Sequence, residues 1–390
     1  VNGERTAKGL VWIISAAVFL DTVFYAVISP MLPALSHQLG LSKLSAGLLT
    51  ASYAIGMLVA SLPGGVITIK IGPRRTVGLG LALLAVSTLG FAFANSALLL
   101  DLARMVEGVG GACTWAGGLA WLNDATPVER RGATVGKAMA AGIAGSLLGP
   151  AIGAIAAETG RATLFSALVL VVIVLLALTL RLPEQPRSSG QGIGQVWQAL
   201  RRRPIQIAGW LVALPAIASG IMNVLGPLRL HQLGAGAFVI GALYLAGSAI
   251  ETLLSPWVGR ISDHRGRLLP LRVGMVLLPP AIVGFMLPHQ LGVAAVIQAV
   301  FFVAVGIFWT PAMAMLADVA DRIRLNQAHA AALMNLTWAG GQILGSAGGG
   351  GIAQVTGDTL VAAMLAALSL LTLVMVRHSH VRERDLTYSA

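Results

Sequence analysis

Cysteine is almost absent from this chain: Cys113 is the only one in 390 residues, so neither a disulfide framework nor a thiolate metal cage is available. Charge is scarce as well. Asp, Glu, Lys and Arg make up 11% of the residues, against about 25% in ordinary soluble proteins. There is no Gly-x-x-x-x-Gly-Lys-Ser/Thr loop to cradle phosphates and no Gly-x-Ser-x-Gly elbow, and the seven histidines form no ligand cluster. ATP hydrolysis, nucleophilic hydrolysis and metal catalysis therefore have no visible machinery, and an enzyme is not expected. The net charge of +11 would suit nucleic acid. However, the basic residues stand in short clusters without interleaved aromatics, so no nucleic-acid partner is expected.

What fills the chain instead is apolar sequence, 56% of it, in runs of roughly twenty residues, each long enough to cross a bilayer. Cutting at charge and turn clusters predicts twelve spans. Six lie near 9–33, 44–69, 76–95, 97–122, 132–157 and 162–180, and six near 204–228, 236–258, 268–287, 291–317, 327–354 and 359–376. Runs such as 164–180 do not alternate and are too long for barrel strands, and lipid offers no backbone partners, so the fold class is an all-α membrane protein. The first span is longer than a signal-peptide core and is interrupted by Asp21, so it reads as a helix that stays.

Basic residues set the orientation. Twenty-two fall on one side of the predicted membrane; Lys43, Arg161 and Arg229 fall on the other, and Arg104 lies inside a span. By the positive-inside bias both termini and the middle loop are cytoplasmic. Arg outnumbers Lys 22 to 4, which with the Ala and Gly load suggests a GC-rich bacterial gene and hence the inner (cytoplasmic) membrane.

Residues 181–203 form the only long polar stretch, a linker ending in an interfacial helix around Val196, Trp197 and Leu200. It separates a bundle at 1–180 from a second at 204–376, with a tail at 377–390. The halves echo each other: Gly65, Gly72, Arg74 and Arg75 follow the second span, and 194 residues later Gly259 opens the stretch with Asp263, Arg265, Gly266 and Arg267. A six-plus-six pseudo-symmetric repeat places a substrate site at the midplane between two rocking bundles.

Residues Gly259 to Arg267 resemble the loop motif of the major facilitator superfamily, Gly-x-x-x-Asp-Arg-x-Gly-Arg, with His264 in place of its basic residue. The first-half copy is degraded, with Ile69 in place of Asp and Pro73 in place of Arg. The resemblance implies that Asp263 pairs with a helix N-terminus or a nearby Arg when the cytoplasmic side is closed. Arg104 to Gly111 is similar to the family's Arg-x-x-Gln-Gly-x-Gly pattern, with Glu107 for Gln. Asp101, Arg104 and Glu107 share a helical face, so Arg104 can bridge to either carboxylate. The resemblance implies a proton-relay role for this arginine; a structural ion pair is the alternative.

Gly136, Gly145, Gly149, Pro150 and Gly153 match the spacing of twelve-helix drug:proton antiporters, with Ala154 replacing a final Gly. Such glycines allow close helix approach, and Pro150 bends the helix. Gly341, Gly345, Gly348 and Gly349 form a weaker echo. Asp21 to Pro33 looks like the first-helix motif of vesicular amine transporters and bacterial multidrug relatives. Asp21 sits near the midplane, where a carboxyl must be neutral or paired because desolvation penalises its charged form. It suits exchange of a proton for a cationic substrate, or else a structural hydrogen bond.

Glu251, the other intramembrane carboxylate, reads as a second proton site, a cytoplasmic gate or a partner of a neighbouring arginine. Asn223, Gln298, Asn335 and Gln342 are candidates for cavity lining or interhelical hydrogen bonds. Tyr25, Trp115, Tyr244, Phe301, Phe302, Trp309 and Trp338 are candidates for stacking on a flat cation, or for packing.

The expectation is a monomeric proton-coupled antiporter that exports small amphipathic, cationic compounds by alternating access. It needs the bilayer, a small-molecule substrate and the proton gradient, and no cofactor. The alternative on the same fold is an uptake permease or facilitator for a sugar, nucleoside or organic acid. A channel or non-transporting receptor is the reading from a different class.

Overall fold

The computed structural model describes residues 2–127, 130–183, 194–325 and 327–378. Residues 184–193 of the linker and the tail from 379 lie outside that range. Among the described residues the chain is helical throughout, and twelve spans can be followed. Ten helices are long and apolar enough to cross a membrane by themselves. The fourth and eleventh spans are not, for different reasons. Helix α5 (Ala97–Ala125) is diluted by Asp101, Arg104, Glu107 and its glycines. The eleventh span is interrupted: α13 (Gln327–Ile343) passes through a π-helical turn at Leu344–Gly348 into α14 (Gly349–Thr356).

The first span is also two pieces, α1 (Asn2–Ala26) and α2 (Ile28–Leu39), meeting at Val27. Pro30 explains the break: it has no N–H for the carbonyl of Ala26 and its ring crowds that carbonyl. The remaining spans of the first half are α3 (Lys43–Ile71), α4 (Pro73–Phe93), α6 (Arg131–Thr159) and α7 (Arg161–Arg181). The short helix α8 (Gly194–Leu200) precedes α9 (Arg203–Gln232), α10 (Ala237–Arg265), α11 (Leu268–Phe285), α12 (Leu291–Arg322) and finally α15 (Asp358–His378).

The chain divides into two compact units, Val1–Leu41 with Leu49–Ile193, and Ser42–Leu48 with Gly194–Ala390. In the first, Gly145, Gly149 and Gly153 seat α6 directly on the backbone of α1. A methyl group at 149 would come within 2.5 Å of the Ala26 Cβ and 2.9 Å of the Val23 carbonyl oxygen, and the Phe19 and Val27 carbonyls crowd positions 145 and 153 in the same way. The second unit repeats the device: Gly341, Gly345 and Gly349 lie against Ala213, Ile217 and Ile221 of α9. Glycine is required at such crossings because any side chain would push the backbones apart. Gly136, at the start of the antiporter-like pattern, has open space around it: a methyl there would meet nothing within 4 Å, so this glycine takes no part in the seam.

The second unit includes the first turns of α3. There Lys43 pairs with Asp358 at 2.5 Å, the Leu44 amide donates to Gln354 Oε1 at 3.1 Å, and Gly47 lies against the Ser346 carbonyl.

Candidate functional site

The first unit buries three charged side chains together. Asp21 of α1 is fully buried, Arg104 of α5 is 1% exposed and Glu107 is 5% exposed. Arg104 Nη1 donates to Glu107 Oε1 at 2.9 Å and to Oε2 at 3.0 Å. It also donates to the Phe24 carbonyl at 2.7 Å, while Nη2 donates to the Tyr25 carbonyl at 3.1 Å. Those two carbonyls lie in the turn that Pro30 loosens, so the kink in the first span and the arginine in the fourth are parts of one device. The guanidinium also stands 5.4 Å from the centre of the Tyr53 ring.

Of the two carboxylates open to Arg104 by spacing, Glu107 has it. Asp101 hydrogen-bonds Ser52 of α3 instead. Asp21 is held by neutral donors: Tyr53 Oη and Trp115 Nε1 each donate to its Oδ2 at 3.0 Å. Its other oxygen, Oδ1, is buried without a hydrogen-bond partner. Gly111 makes room for it, since a methyl there would lie 2.6 Å from Oδ1 and 2.8 Å from the Tyr53 hydroxyl.

Charge balance follows from this inventory. One guanidinium and two carboxyls share a dry volume, and an uncompensated buried charge costs several kcal/mol. The cluster is neutral only with one proton on it. Asp21 Oδ1 is the one carboxyl oxygen of the three residues that accepts no hydrogen bond. Beside the cluster, Phe24, Val27, Thr88, Phe91, Arg104, Glu107 and Phe165 line a cavity of about 10 Å³, at the lower limit for one water.

Tyr53 is not legible in the sequence as a site residue. It sits in an apolar span with no motif around it, and only the packing of α3 against α1 and α5 reveals it. Tyr25 packs against Tyr53 with ring centres 4.9 Å apart and the planes tilted by 47°.

The remaining candidates are spread out. Tyr244 donates to the Met222 carbonyl at 2.7 Å and meets Phe302 edge-on, with Phe301 packed beside that ring. Gln298 is 1% exposed, and both of its amide atoms lack partners. Gln342 is buried on α13, while Asn223, Trp309, Asn335 and Trp338 are half-buried. Glu251 is half-buried in the middle of α10, fourteen residues from either end. The helix runs past the predicted end of its span at 258 to Arg265.

In the Arg-rich loops, Asp263 pairs with Arg267 of its own unit, and Arg267 Nε reaches Asp318 of α12 at 3.0 Å. These two carboxylates hold the guanidinium's proton more tightly than usual. Gly266 and Gly72 adopt left-handed φ angles of 85° and 91° at the matching helix-to-helix turns. Arg74 instead caps α7 through the Leu182 carbonyl at 2.9 Å. Gly65 and Gly259 face open space, and Arg265 is exposed at the end of α10.

These features define a polytopic helical membrane protein with a charged site inside one of its bundles. Residues 14–323 match the family described as the Major Facilitator Superfamily. The chain belongs to that superfamily.

Among curated relatives, it is 26% identical over 209 residues to the quinolone resistance protein NorA of Staphylococcus aureus (strain MRSA252), an alignment covering 53% of this chain and 52% of that one. It is 31% identical over 174 residues to the MFS-type transporter ppzB of Metarhizium rileyi, covering 43% and 35%. The chain thus matches about half the length of NorA, or less for ppzB. Solved structures of the same fold include a bacterial homologue of the human lysosomal transporter Spinster (TM-score 0.74, 16% identity, 96% and 95% covered). The nucleoside transporter NupG (0.76, 14%, 94% and 98%) and a D-xylose–proton symporter (0.73, 17%, 95% and 97%) share it too.

Proposed function

We propose that this protein is a proton-coupled exporter of small amphipathic cations. It would work as a monomer by alternating access in a bacterial cytoplasmic membrane, with both termini in the cytoplasm, no cofactor and the proton gradient as its energy source. The observation that carries the reading is the buried set of one guanidinium and two carboxyls, with Asp21 Oδ1 left without a donor. Such a set stays neutral by holding one proton or, in its place, one cation, but not both. That exclusion is the requirement for antiport.

In this account Asp21 carries the exchangeable proton while Tyr53 and Trp115 fix its geometry from Oδ2. Arg104, tied to Glu107 and to the carbonyls of Phe24 and Tyr25, sets how tightly that proton is held. Arrival of a cationic substrate releases it. The glycine seam between α6 and α1, with Pro150 inside it, keeps the occluded state free of water and so limits proton leak. The similarity to a quinolone resistance protein supports export over uptake. The sugar and nucleoside transporters among the structural neighbours support the fold alone.

The test is transport. Vesicles holding the protein with its cytoplasmic face outward and an acid interior should accumulate the cationic dye ethidium. Asp21→Asn should abolish accumulation without changing the amount of folded protein. Accumulation by Asp21→Asn at the wild-type rate would remove Asp21 from the coupling step, and ethidium movement only in the opposite direction would favour an uptake permease.

A further inference from the structure

We propose that Glu251 is a second proton-exchange site, built into the α10–α12 seam of the second unit, so that each transport cycle carries two protons. The inference rests on the exporter reading for its transport arm, but its geometry is independent of Asp21. Glu251 occupies the middle of the 29-residue helix α10, which puts it roughly 20 Å from either end at about 1.5 Å per residue.

Its side chain turns toward α12. A methyl at Gly306 would touch Glu251 Cα and Cγ at 3.4 Å and Cβ at 3.6 Å. One turn further along the seam, Ser255 and Thr310 hydrogen-bond each other at 3.2 Å, which leaves the carboxyl to itself. Among the described residues Glu251 has no hydrogen bond and no ion pair.

No neighbouring element supplies a counterion. The seam offers Gly306 and Thr310 from α12, whose first acidic residue beyond them is Asp318, two turns past Thr310. The only charged residue of α11 is Arg272, near its start, and between Arg203 and Arg229 α9 carries none. On α10 itself, the nearest charged residue is Arg260. A carboxyl in that setting is not kept ionised by its surroundings, since a lone buried carboxylate is far too costly. It therefore carries a proton while the seam is closed. It gives the proton up only when water reaches it or a cation takes its place.

This differs in kind from Asp21, which shares its site with a built-in arginine. Glu251 has only its own proton to exchange. Unlike the fully buried Asp21, Glu251 is only partly buried, so water can reach it with a smaller opening of the seam.

The experiment uses full-length protein in liposomes, with the membrane potential clamped at zero, a pH difference of one unit and ethidium as the cargo. Two protons per dye molecule give a steady-state accumulation of roughly a hundredfold, and one proton gives roughly tenfold. Wild type and Glu251→Asp, which keeps the carboxyl, should reach the higher ratio, and Glu251→Gln the lower one.

A hundredfold ratio from Glu251→Gln, or a tenfold ratio from wild type, overturns the proposal and leaves the Asp21 reading standing. A second arm needs no transport. Acid-minus-alkaline infrared difference spectra of detergent-purified protein should lose a protonated-carboxyl band in Glu251→Gln that survives in Asp21→Asn. If wild type moves no ethidium, the exporter reading falls and the infrared band still decides Glu251; an unchanged band means that Glu251 does not exchange a proton.

Discussion

The two units share a frame and differ in what they put inside it. Glycines spaced by four seat α6 on α1 and the eleventh span on α9 in the same way. An offset of 194 residues relates Asp124 to Asp318, Trp115 to Trp309 and Gly72 to Gly266. By the same offset the charged site has no copy. Asp21 corresponds to Pro215, Arg104 to Gln298 and Glu107 to Phe301. The packing differs too: the backbone carbonyl of Tyr53 lies over Gly108 in the first unit, whereas in the second Gly247 stands at the Tyr53 position and accepts the ring of Phe302 at the Gly108 position. Repetition conserves the helix crossings, which any rocking bundle needs. The ionisable chemistry is free to settle in one unit and to appear in another form, at Glu251, in the other.

The sharpest way to break this comparison is to make the same change at paired positions. Arg104→Leu leaves Glu107 and Asp21 buried without a cation and should cost about 3–5 kcal/mol of stability along with all proton-driven transport. Gln298→Leu removes an amide with no partners, and should be neutral or stabilising by about 1–3 kcal/mol. Thermal unfolding of the purified proteins compares them; equal losses would mean that the second unit hides a polar site of its own at Gln298.

Glu107→Gln gives the next effect. It leaves one guanidinium facing one carboxyl, a balanced pair with no need of a proton. The protein should fold, because Arg104 keeps the carbonyls of Phe24 and Tyr25. Ethidium transport at neutral pH should fall about tenfold and recover in more acid buffer. A pH profile identical to wild type would show that Glu107 does not influence the coupling proton.

Smaller effects probe the shared frame. Gly149→Ala and Gly345→Ala each force a methyl into the opposing backbone, and each should cost about 1–3 kcal/mol. Gly136→Ala meets nothing, and should stabilise by about 0.5–1 kcal/mol through helix propensity alone. A loss at Gly136 as large as at Gly149 would mean that the position packs against a neighbour after all.

Much of this is legible from composition. A charge inside an apolar run stands out, so Asp21, Arg104, Glu107 and Glu251 can be singled out before any geometry, and the span count follows from where charge and turn clusters cut the apolar runs. The details that escape are those decided across helices. Spacing permits Arg104 to pair with Asp101 or Glu107, and only the position of Ser52 settles it. The break that Pro30 makes in the first span, with two carbonyls turned onto an arginine about eighty residues away in sequence, depends on tertiary packing. The glycine pattern reads as one motif, but Gly136 lies outside the seam, with open space where a side chain would stand. Sequence alone ends the eighth span at 258 because Gly259 and Arg260 look like a helix end, although a helix leaving the apolar layer needs no apolar residues to continue, and α10 runs on to Arg265.

The most direct measurement of the coupling claim is proton release on binding. Ethidium added to detergent-purified protein in weakly buffered solution should release protons from wild type, and one fewer from Asp21→Asn. Equal release from the two proteins, or binding by wild type without any release, would contradict the account.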